Sequence, residues 1–536
     1  MRHTPLKPLR PGATIKLPSQ APEHRQRQYC IYYQPNSDLC YKVYVHNNCL
    51  CNEEVALRNR VLFDCIVPTH QRVQQCKLIA RLIADWLPRE NRMSGEWIEA
   101  YSGRKKRKYM EAQSDLAQRP IRRSDSYVAA FIKSEKIPQL KDPRLIQARS
   151  ARYNYELGNY LKPIEHHLYN IKGTGRLAKW LPRGRLIAKG CNMERRALLI
   201  RKKMQRFASP LVISLDASRF DAHVTAMLSV EHLVYKRYWK CPHLQRLLEW
   251  QVRNKGRTSS GIRYTLRGSR MSGDMNTALG NCLISIIVLA NIMRILKLSP
   301  TRWDMLCDGD DVLVFVDQTD TAILQQLPSL YEEHGFPIKL ENVTTSYHKV
   351  LFCQTHPVDT LLGPKMVAVP SRTLSRALVG VRHWGEPKFI PKYLALIGYC
   401  ELALNMGVPI LQEFACMVLN WGSVLPRNIQ ASGRVIKAAR EERLHPIEPL
   451  PITAEARLTF EEATGISVEE QRALEQSFRA QYRHGSKEET HSVDQPAIYW
   501  RKHWSATNTA RIQGKGPPAR DSSSPSGYPT AWVPWG

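Results

Sequence analysis

The chain lacks an uninterrupted apolar run long enough to cross a bilayer. Its most apolar stretch, Cys282 to Leu298, falls short of the roughly 20 residues a span needs and contains Asn291 and Arg294. A buried helix is the expectation there, and no transmembrane segment of the chain's own is expected. Met1 to Pro11 lacks the apolar centre of a signal peptide, which argues against secretion. No two cysteines stand at the C-x2-C spacing of zinc ribbons and fingers. The 13 cysteines, odd in number and irregular in spacing, also argue against a disulfide framework and suit a reducing compartment such as cytosol. Among them Cys40, Cys49, Cys51 and Cys65, with His46 nearby, read as buried thiols rather than zinc ligands. Internal repeats are absent. Acid is scarcest of all: 48 Asp and Glu stand against 78 Lys and Arg, a formal charge of +30.

Such a surplus attracts polyanions through phosphate contacts and counterion release, so nucleic acid is the leading partner. The surplus is concentrated, because residues 101–210 hold 27 Lys and Arg and only 8 Asp and Glu. A cationic surface kept for solubility would spread its charge more evenly. The remaining composition is ordinary, with 43% hydrophobic and 24% charged residues, and predicts a packed core. At 536 residues the chain is too long for one core and suits two or three subdomains. The start, with Pro5, Pro8, Pro11, Pro18 and Pro22, reads as a flexible arm, followed by an ordered stretch from Tyr29 to Leu82. Ser126 to Ile132 is strand-like and Asn154 to Leu168 helix-like. The C-terminal end, with Ser522, Ser523 and Ser524 among several Pro and Gly, reads as disordered, although Trp500, Trp504, Trp532 and Trp535 lie in it.

Leu211 to Leu215 is a short β-favouring run closed by Asp216. Further on, Gly309, Asp310 and Asp311 lie between the apolar runs Trp303 to Leu306 and Val312 to Val316, which reads as strand, tight turn, strand. An Asp-rich hairpin turn is commonplace by itself. Between the two stands a small-residue loop, Ser272, Gly273 and Asp274, opening a long apolar helix in which Thr277 and Asn281, four apart, share one face and can reach one ligand. The ordered combination points to chemistry. Two-metal nucleotidyl transfer needs carboxylates that hold two divalent ions roughly 3.5–4 Å apart. Mg2+ takes hard oxygen ligands and keeps several waters, so two or three Asp suffice.

Asp216-x4-Asp221, Ser272-Gly273-Asp274-x2-Thr277-x3-Asn281 and Gly309-Asp310-Asp311 resemble motifs A, B and C of the RNA-dependent RNA polymerases of positive-strand RNA viruses, most closely those of the tombusvirus family. Asp142 to Tyr169, reading DPRLIQARSARYNYELGNYLKPIEHHLY, is similar to the basic finger segment before motif A in that family. FIKSEK from Phe131, KGCN from Lys189 and LFCQTHPV from Leu351 extend the likeness, the last resembling the primer-grip motif E. The resemblance implies an α+β right-hand fold: an N-terminal arm and small subdomain at 1–95, basic fingers at 96–210, and a palm of antiparallel sheet and helices with a helical fingers insertion at 211–360. A mostly helical thumb at 361–483 and a disordered tail at 484–536 complete it.

The resemblance also implies roles. Asp216 and Asp310 would ligate two Mg2+ or Mn2+ ions, with Asp311 binding or orienting them less directly. Asp221 and Asn281, with Ser272, Gly273 and Thr277, would contact the ribose of the incoming nucleotide. A carboxylate at 221 accepts from a 2′-hydroxyl, where reverse transcriptases usually place an aromatic side chain. Lys133, Arg144, Arg149 and Arg152 would meet the triphosphate or RNA, and Lys339 would be the general acid for pyrophosphate. The implied function is RNA-directed RNA synthesis, with template, nascent RNA and ribonucleoside triphosphates as partners. Its implied place is the host cytoplasm, at membrane-associated replication complexes reached through a membrane-anchored viral replication protein. Two rival readings stand beside it: a reverse transcriptase-like polymerase, and a non-catalytic RNA-binding replication protein, whose carboxylates need not converge.

Overall fold

The structure, a computed structural model, describes residues 4–20, 27, 29–139, 141–381, 386–422 and 447–482. The expected tail at 484–536 lies outside the described residues.

The Pro-rich start is pinned rather than loose. Arg10 is buried and donates to the carbonyls of Val61 at 2.7 Å, Phe63 at 3.1 Å and Ala222 at 3.2 Å. A guanidinium is buried only where its donors find partners, so this residue ties the start to the body. The next segment, β1 (Thr14–Lys16), is the edge strand of a five-stranded sheet. The two-residue β2 (Cys30–Ile31) and α1 (Leu50–Ala56) follow. Then α2 (His70–Trp86) starts at Thr69, whose hydroxyl accepts from the Arg72 N–H. Its buried stripe of Val73, Cys76, Ile79, Ala80 and Ile83 follows helical spacing and joins the central core. The first segment therefore contributes to the main core instead of forming a small subdomain of its own.

After α3 (Gly103–Gln118) come β3 (Val128–Ile132) and β4 (Leu145–Ala148), paired antiparallel, then the almost wholly buried α4 (Ala151–Tyr169), capped by Ser150. The stretch that follows holds α5 (Met193–Met204), β5 (Pro210–Ala217), α6 (Phe220–His223), α7 (Met227–Trp239) and α8 (Pro242–Val252). The insertion expected to be helical also contains a hairpin, β6 (Arg253–Thr258) and β7 (Arg263–Arg267), which gives the five-stranded sheet its order β1-β7-β6-β3-β4. Alternation of cationic with inward-facing residues there is a period of two, the strand signal that a helical reading passes over.

The central sheet is antiparallel, in the order β10-β5-β9-β8, from β8 (Trp303–Asp308), β9 (Asp311–Asp317) and, after α10 (Ile323–Glu333), β10 (Ile338–Thr344). It is covered on both faces. Leu211, Ile213, Leu215, Val312, Val314 and Met305 pack into the core that contains α9 (Thr277–Ile295), while Val212, Leu306, Leu313 and Phe315 pack with Ala197 and Ile200 of α5. Two-sided burial explains why these strands read as continuous apolar runs. Each such side chain, fully buried, stabilises by roughly 1.5–3 kcal/mol, so the sheet and α9 form a rigid seat. Among the described residues, α9 is the one helix long and apolar enough to cross a membrane, and 83% of its apolar window is buried inside the protein. Beyond it, β11 (Thr355–Thr360) and β12 (Gly363–Ala368) form a hairpin, α11 (Pro370–Arg376) follows, and β13 (Val379–Gly380) pairs with β2. The remainder is helical: α12 (Ile390–Asn405), α13 (Leu411–Trp421) and two helices at Ala454–Thr464 and Val468–Arg479 around Leu394, Phe414, Phe460 and Phe478.

Candidate active site

The turn between β8 and β9 is as short as a hairpin allows, since Asp308 and Asp311 are register partners and only Gly309 and Asp310 lie between them. Gly309 has φ +81°, a left-handed conformation that a residue with a Cβ adopts at a cost. The turn is docked on α9: the Gly309 carbonyl accepts from the Ser285 hydroxyl at 2.8 Å, and its N–H donates to Cys282 Sγ at 3.1 Å. Leu215 pairs with Val312, so the next residue of β5, Asp216, emerges level with that turn. Asp216 and Asp310 are open to water and Asp311 is half-buried.

These carboxylates feel one another. Burial, then the charges of Asp310, Asp308 and Asp216, push Asp311 up to about 7. Burial and then Asp310 push Asp221 up to about 6, with the Asn281 hydrogen bond pulling the other way. Asp310, although its side chain reaches water, is itself raised, first by desolvation from the protein around it and also by Asp216, with Lys189 and Arg144 opposing. The sheet end thus concentrates mutually repelling hard oxygen donors, a setting that favours bound cations. Among the described residues no group of three His, Cys, Asp or Glu side chains is placed to hold a metal ion. A pair of carboxylates fits Mg2+ or Mn2+, which keep waters and take substrate oxygens, and does not fit a structural zinc ion.

The pH dependence follows from these shifts. Asp311 is raised above its unfolded value of about 3.9, so the folded protein holds this proton longer than the unfolded chain, and stability falls as pH rises from about 4 to about 7. In metal-free protein, Asp311→Asn is expected to melt above the wild type at pH 8 and by a smaller margin at pH 5. Mg2+ should raise the wild-type Tm most at pH 8. Equal margins at both pH values, read by thermal melts, would show that Asp311 is not under this repulsion.

Asp308 behaves oppositely. Burial resists its ionisation, but Lys189 and Arg196 outweigh that and hold it well below the usual carboxylate range. Arg196 Nη2 donates to Asp308 Oδ2 at 2.5 Å, and Lys189 Nζ donates to Oδ1. These cations were not among the expected site residues, although Lys189 opens the KGCN segment.

The Ser272 loop is fastened to β4. Gln147 N–H donates to Ser272 Oγ at 3.0 Å, Gly273 N–H donates to the Gln147 carbonyl at 2.8 Å, and Thr277 Oγ1 donates to the Met271 carbonyl at 2.8 Å. In this conformation these residues shape the loop. Asn281 is the one brought onto Asp221, its Nδ2 donating to Asp221 Oδ1 at 2.9 Å. A Cβ on Gly273 would lie 2.7 Å from the Gln147 carbonyl oxygen and 2.8 Å from Ala148 Cα, both backbone atoms. Gly273→Ala is therefore expected to destabilise by roughly 1–3 kcal/mol, as overpacking does, measured by denaturant unfolding. An unchanged unfolding midpoint would mean that the loop gives way freely.

A family model described as viral RNA dependent RNA polymerase matches residues 16–483. The chain belongs to that family. It is 32% identical to the RNA-directed RNA polymerase of Turnip crinkle virus over 461 residues, covering 81% of this chain and 57% of that protein. The RNA-directed RNA polymerase of Carnation mottle virus is 32% identical over 492 residues, covering 87% of this chain and 62% of that protein. The chain thus spans about three-fifths of the length of these relatives.

The expected triphosphate ligands of this polymerase-family chain divide. Arg149 is fully buried in an ion pair with Asp274 and donates to the Ser126 carbonyl at 2.5 Å and to Asn254 Oδ1 at 2.6 Å. With its donors engaged, it stabilises the loop and does not present itself to a phosphate. Arg152 is held by Asp115 and by Asp125 at 3.1 Å, as well as by the carbonyls of Arg119 and Pro120. Lys133 pairs with Glu135 at 3.1 Å. Arg144 is the more available, 3.6 Å from Glu135 with its side chain 57% exposed, and its charge acts on Asp310. Lys339 is exposed and is the register partner of Asp216 across β10 and β5, so both side chains leave the same face.

Proposed function

We propose that this chain is the catalytic part of a viral RNA-dependent RNA polymerase that replicates an RNA genome, joining the nascent 3′-hydroxyl to the α-phosphate of a ribonucleoside triphosphate with loss of pyrophosphate. The observation that carries the reading is the gathering of Asp216, Asp310 and Asp311 at one sheet end with the Asp221–Asn281 pair close by. The central sheet is then the palm, the basic five-stranded sheet with α3 and α4 belongs to the fingers, and the C-terminal helices form the thumb.

Asp216 and Asp310 would hold two Mg2+ or Mn2+ ions, with Asp311 behind them. Bound there, the ions would activate the attacking hydroxyl and neutralise charge on the phosphates. The protein's own share is positioning. Asp221 Oδ1 already accepts from Asn281, and its remaining oxygen can accept from a ribose 2′-hydroxyl, which supports ribonucleotides over the reverse transcriptase reading. Arg144 would meet the triphosphate, and Lys339, register partner of Asp216, would protonate the departing pyrophosphate. Template and nascent RNA follow the cationic surface. Attachment to membrane-associated replication complexes in the host cytoplasm would come through a membrane-anchored viral partner.

The test is synthesis itself. Purified protein with template RNA, ribonucleoside triphosphates and Mg2+ or Mn2+ should make complementary RNA, primed or unprimed. RNA binding with no incorporation under any of these conditions would favour the non-catalytic reading.

A further inference from the structure

The strands that carry the carboxylates do not touch each other. In the central sheet β5, which leads to Asp216, and β8, which leads to the Gly309–Asp310 turn, lie on opposite sides of β9. The like charges at their ends push that end of the sheet apart. A separate set of side chains ties the two strands together.

Residues 186–188 run along the outer edge of β8. Cys307 N–H donates to the Leu186 carbonyl at 2.9 Å, and Ala188 N–H donates to the Cys307 carbonyl at 2.8 Å. This path delivers Lys189 to Asp308, and Arg185 Nη2 donates to the Lys189 carbonyl at 2.5 Å. Helix α5, capped by Asn192, then brings in Arg196. Its guanidinium donates in three directions: Nη2 to Asp308 Oδ2 at 2.5 Å, Nε to the Cys191 carbonyl at 3.2 Å, and Nη1 to Cys353 Sγ at 3.7 Å. Cys353 stands in a two-residue turn that Phe352 and Thr355 close with a pair of 3.0 Å backbone bonds. Both turn residues, Cys353 at φ +53° and Gln354 at φ +61°, are left-handed without being glycine, a strain that persists only where the surroundings impose it. Just before the turn, the Leu351 carbonyl accepts from Ser214 Oγ of β5 at 2.7 Å. Arg196 thus completes a bonded path from Asp308, beside the carboxylate turn, through Cys353 and Leu351 to Ser214, close to Asp216. Lys189 is 7% exposed and Arg196 2%, so neither is open to a substrate phosphate. A planar fork fixes its partners in direction as well as distance, which an ammonium does not.

We propose that Arg196, assisted by Lys189, is a positioning residue for nucleotidyl transfer, setting the spacing of Asp216 against the Asp310 turn before any metal ion binds. The role rests on the polymerase reading for the reaction it serves, while the clasp itself stands on hydrogen bonds. Charge alone predicts the reverse effect. A cation beside the carboxylates repels a divalent ion, so removing Arg196 would tighten metal binding if its charge were all that mattered.

Mn2+ binding to the full chain, read from the electron paramagnetic resonance signal of the free ion without RNA or nucleotide, separates the two. R196Q is expected to bind Mn2+ about tenfold more weakly, the loss typical of a side chain that orients a metal site from behind. R196K keeps the charge but not the three-way fork and should lose affinity in the same direction. In RNA synthesis R196Q should need correspondingly more Mn2+ for half-maximal rate and recover most of the wild-type rate at saturation, whereas structural damage would lower the rate at every concentration. Wild-type or tighter Mn2+ binding by R196Q overturns the proposal, as does a rate deficit that saturating Mn2+ leaves in place. D310A in the same titration keeps the two readings apart. If it loses Mn2+ and R196Q does not, only the positioning role falls; if it binds Mn2+ as the wild type does, the carboxylate site falls and the positioning role with it. Should R196Q fail to fold, C353A decides, because it leaves the buried pair with Asp308 intact: weaker Mn2+ binding at an unchanged Tm supports the proposal, and wild-type binding overturns it.

Discussion

Asp310→Ala is expected to lower RNA synthesis by at least about a thousandfold while leaving RNA affinity within about twofold and the Tm no lower than that of the wild type. The size follows from the charge the carboxylate manages: metal-assisted phosphoryl transfer gains several kcal/mol in the transition state, and each 1.4 kcal/mol is tenfold in rate. RNA affinity comes from cations on phosphates, and Asp310 is not one of them. The Tm expectation is the less obvious part. The shape of the turn is set by Gly309 at φ +81° and by its bonds to Ser285 and Cys282, none of which involves the Asp310 side chain. Meanwhile the Asp310 charge works against ionisation of both Asp311 and Asp221. Removing it relieves repulsion in metal-free protein. Incorporation by the variant at a rate comparable to wild type would remove the turn from the chemistry, and a collapse of Tm would show that the carboxylate is structural.

The second large effect is expected beneath the Asp221–Asn281 pair. Arg270 and Glu231 form an ion pair with both side chains fully buried. Arg270 Nε also donates to Asn281 Oδ1 at 3.1 Å, which leaves the Asn281 amide nitrogen facing Asp221. Glu231 accepts in addition from Asn276 at 2.6 Å and from the Tyr235 hydroxyl at 3.0 Å. The packing is close enough that a Cβ on Gly280 would stand 2.3 Å from Glu231 Oε1. Arg270→Ala leaves a buried carboxylate without its counter-charge and should destabilise by about 3–5 kcal/mol. Replacing both partners with apolar residues, Arg270→Met with Glu231→Leu, should recover much of that stability, because two desolvated charges are removed together. The double variant would still lack the group that orients Asn281. Its preference for ribonucleotides over deoxyribonucleotides, measured as the ratio of incorporation efficiencies, should therefore fall even though it is folded. A stable double variant with wild-type sugar preference would show that Asn281 is oriented by other means.

The Ser272 loop shows where short-range reading reaches its limit. Its small residues and its place before an apolar helix are visible in the chain, and the structure does put it beside the carboxylates. Which of its polar groups remain free is another matter. Ser272 and Thr277 lie on a plausible ligand-facing surface by spacing, yet each is engaged by backbone groups of the loop or of β4. The basic segment carries the same lesson. Arg144 and Arg149 belong to one run of cations and differ only in parity along the strand and its exit, and one lies open near Asp310 while the other is sealed against Asp274.

What the sequence by itself determined is local and ordered: the apolar strands ending at Asp216 and flanking Gly309 to Asp311, the tight turn that Gly309 permits, the buried character of the helix after Ser272, and the succession of three motifs that resembles viral polymerases. Periodicity and turn chemistry act over a few residues, so they survive in the linear chain. Only the tertiary structure decided that the N-terminal arm is an edge strand, that the supposed helical insertion supplies a cationic hairpin, and that Lys189 and Arg196 neutralise Asp308 while Asp310 and Asp311 are left repelling each other. These outcomes depend on which charge is desolvated beside which. Lys189 and Asp308 are 119 residues apart, and no local pattern records a pairing at that range.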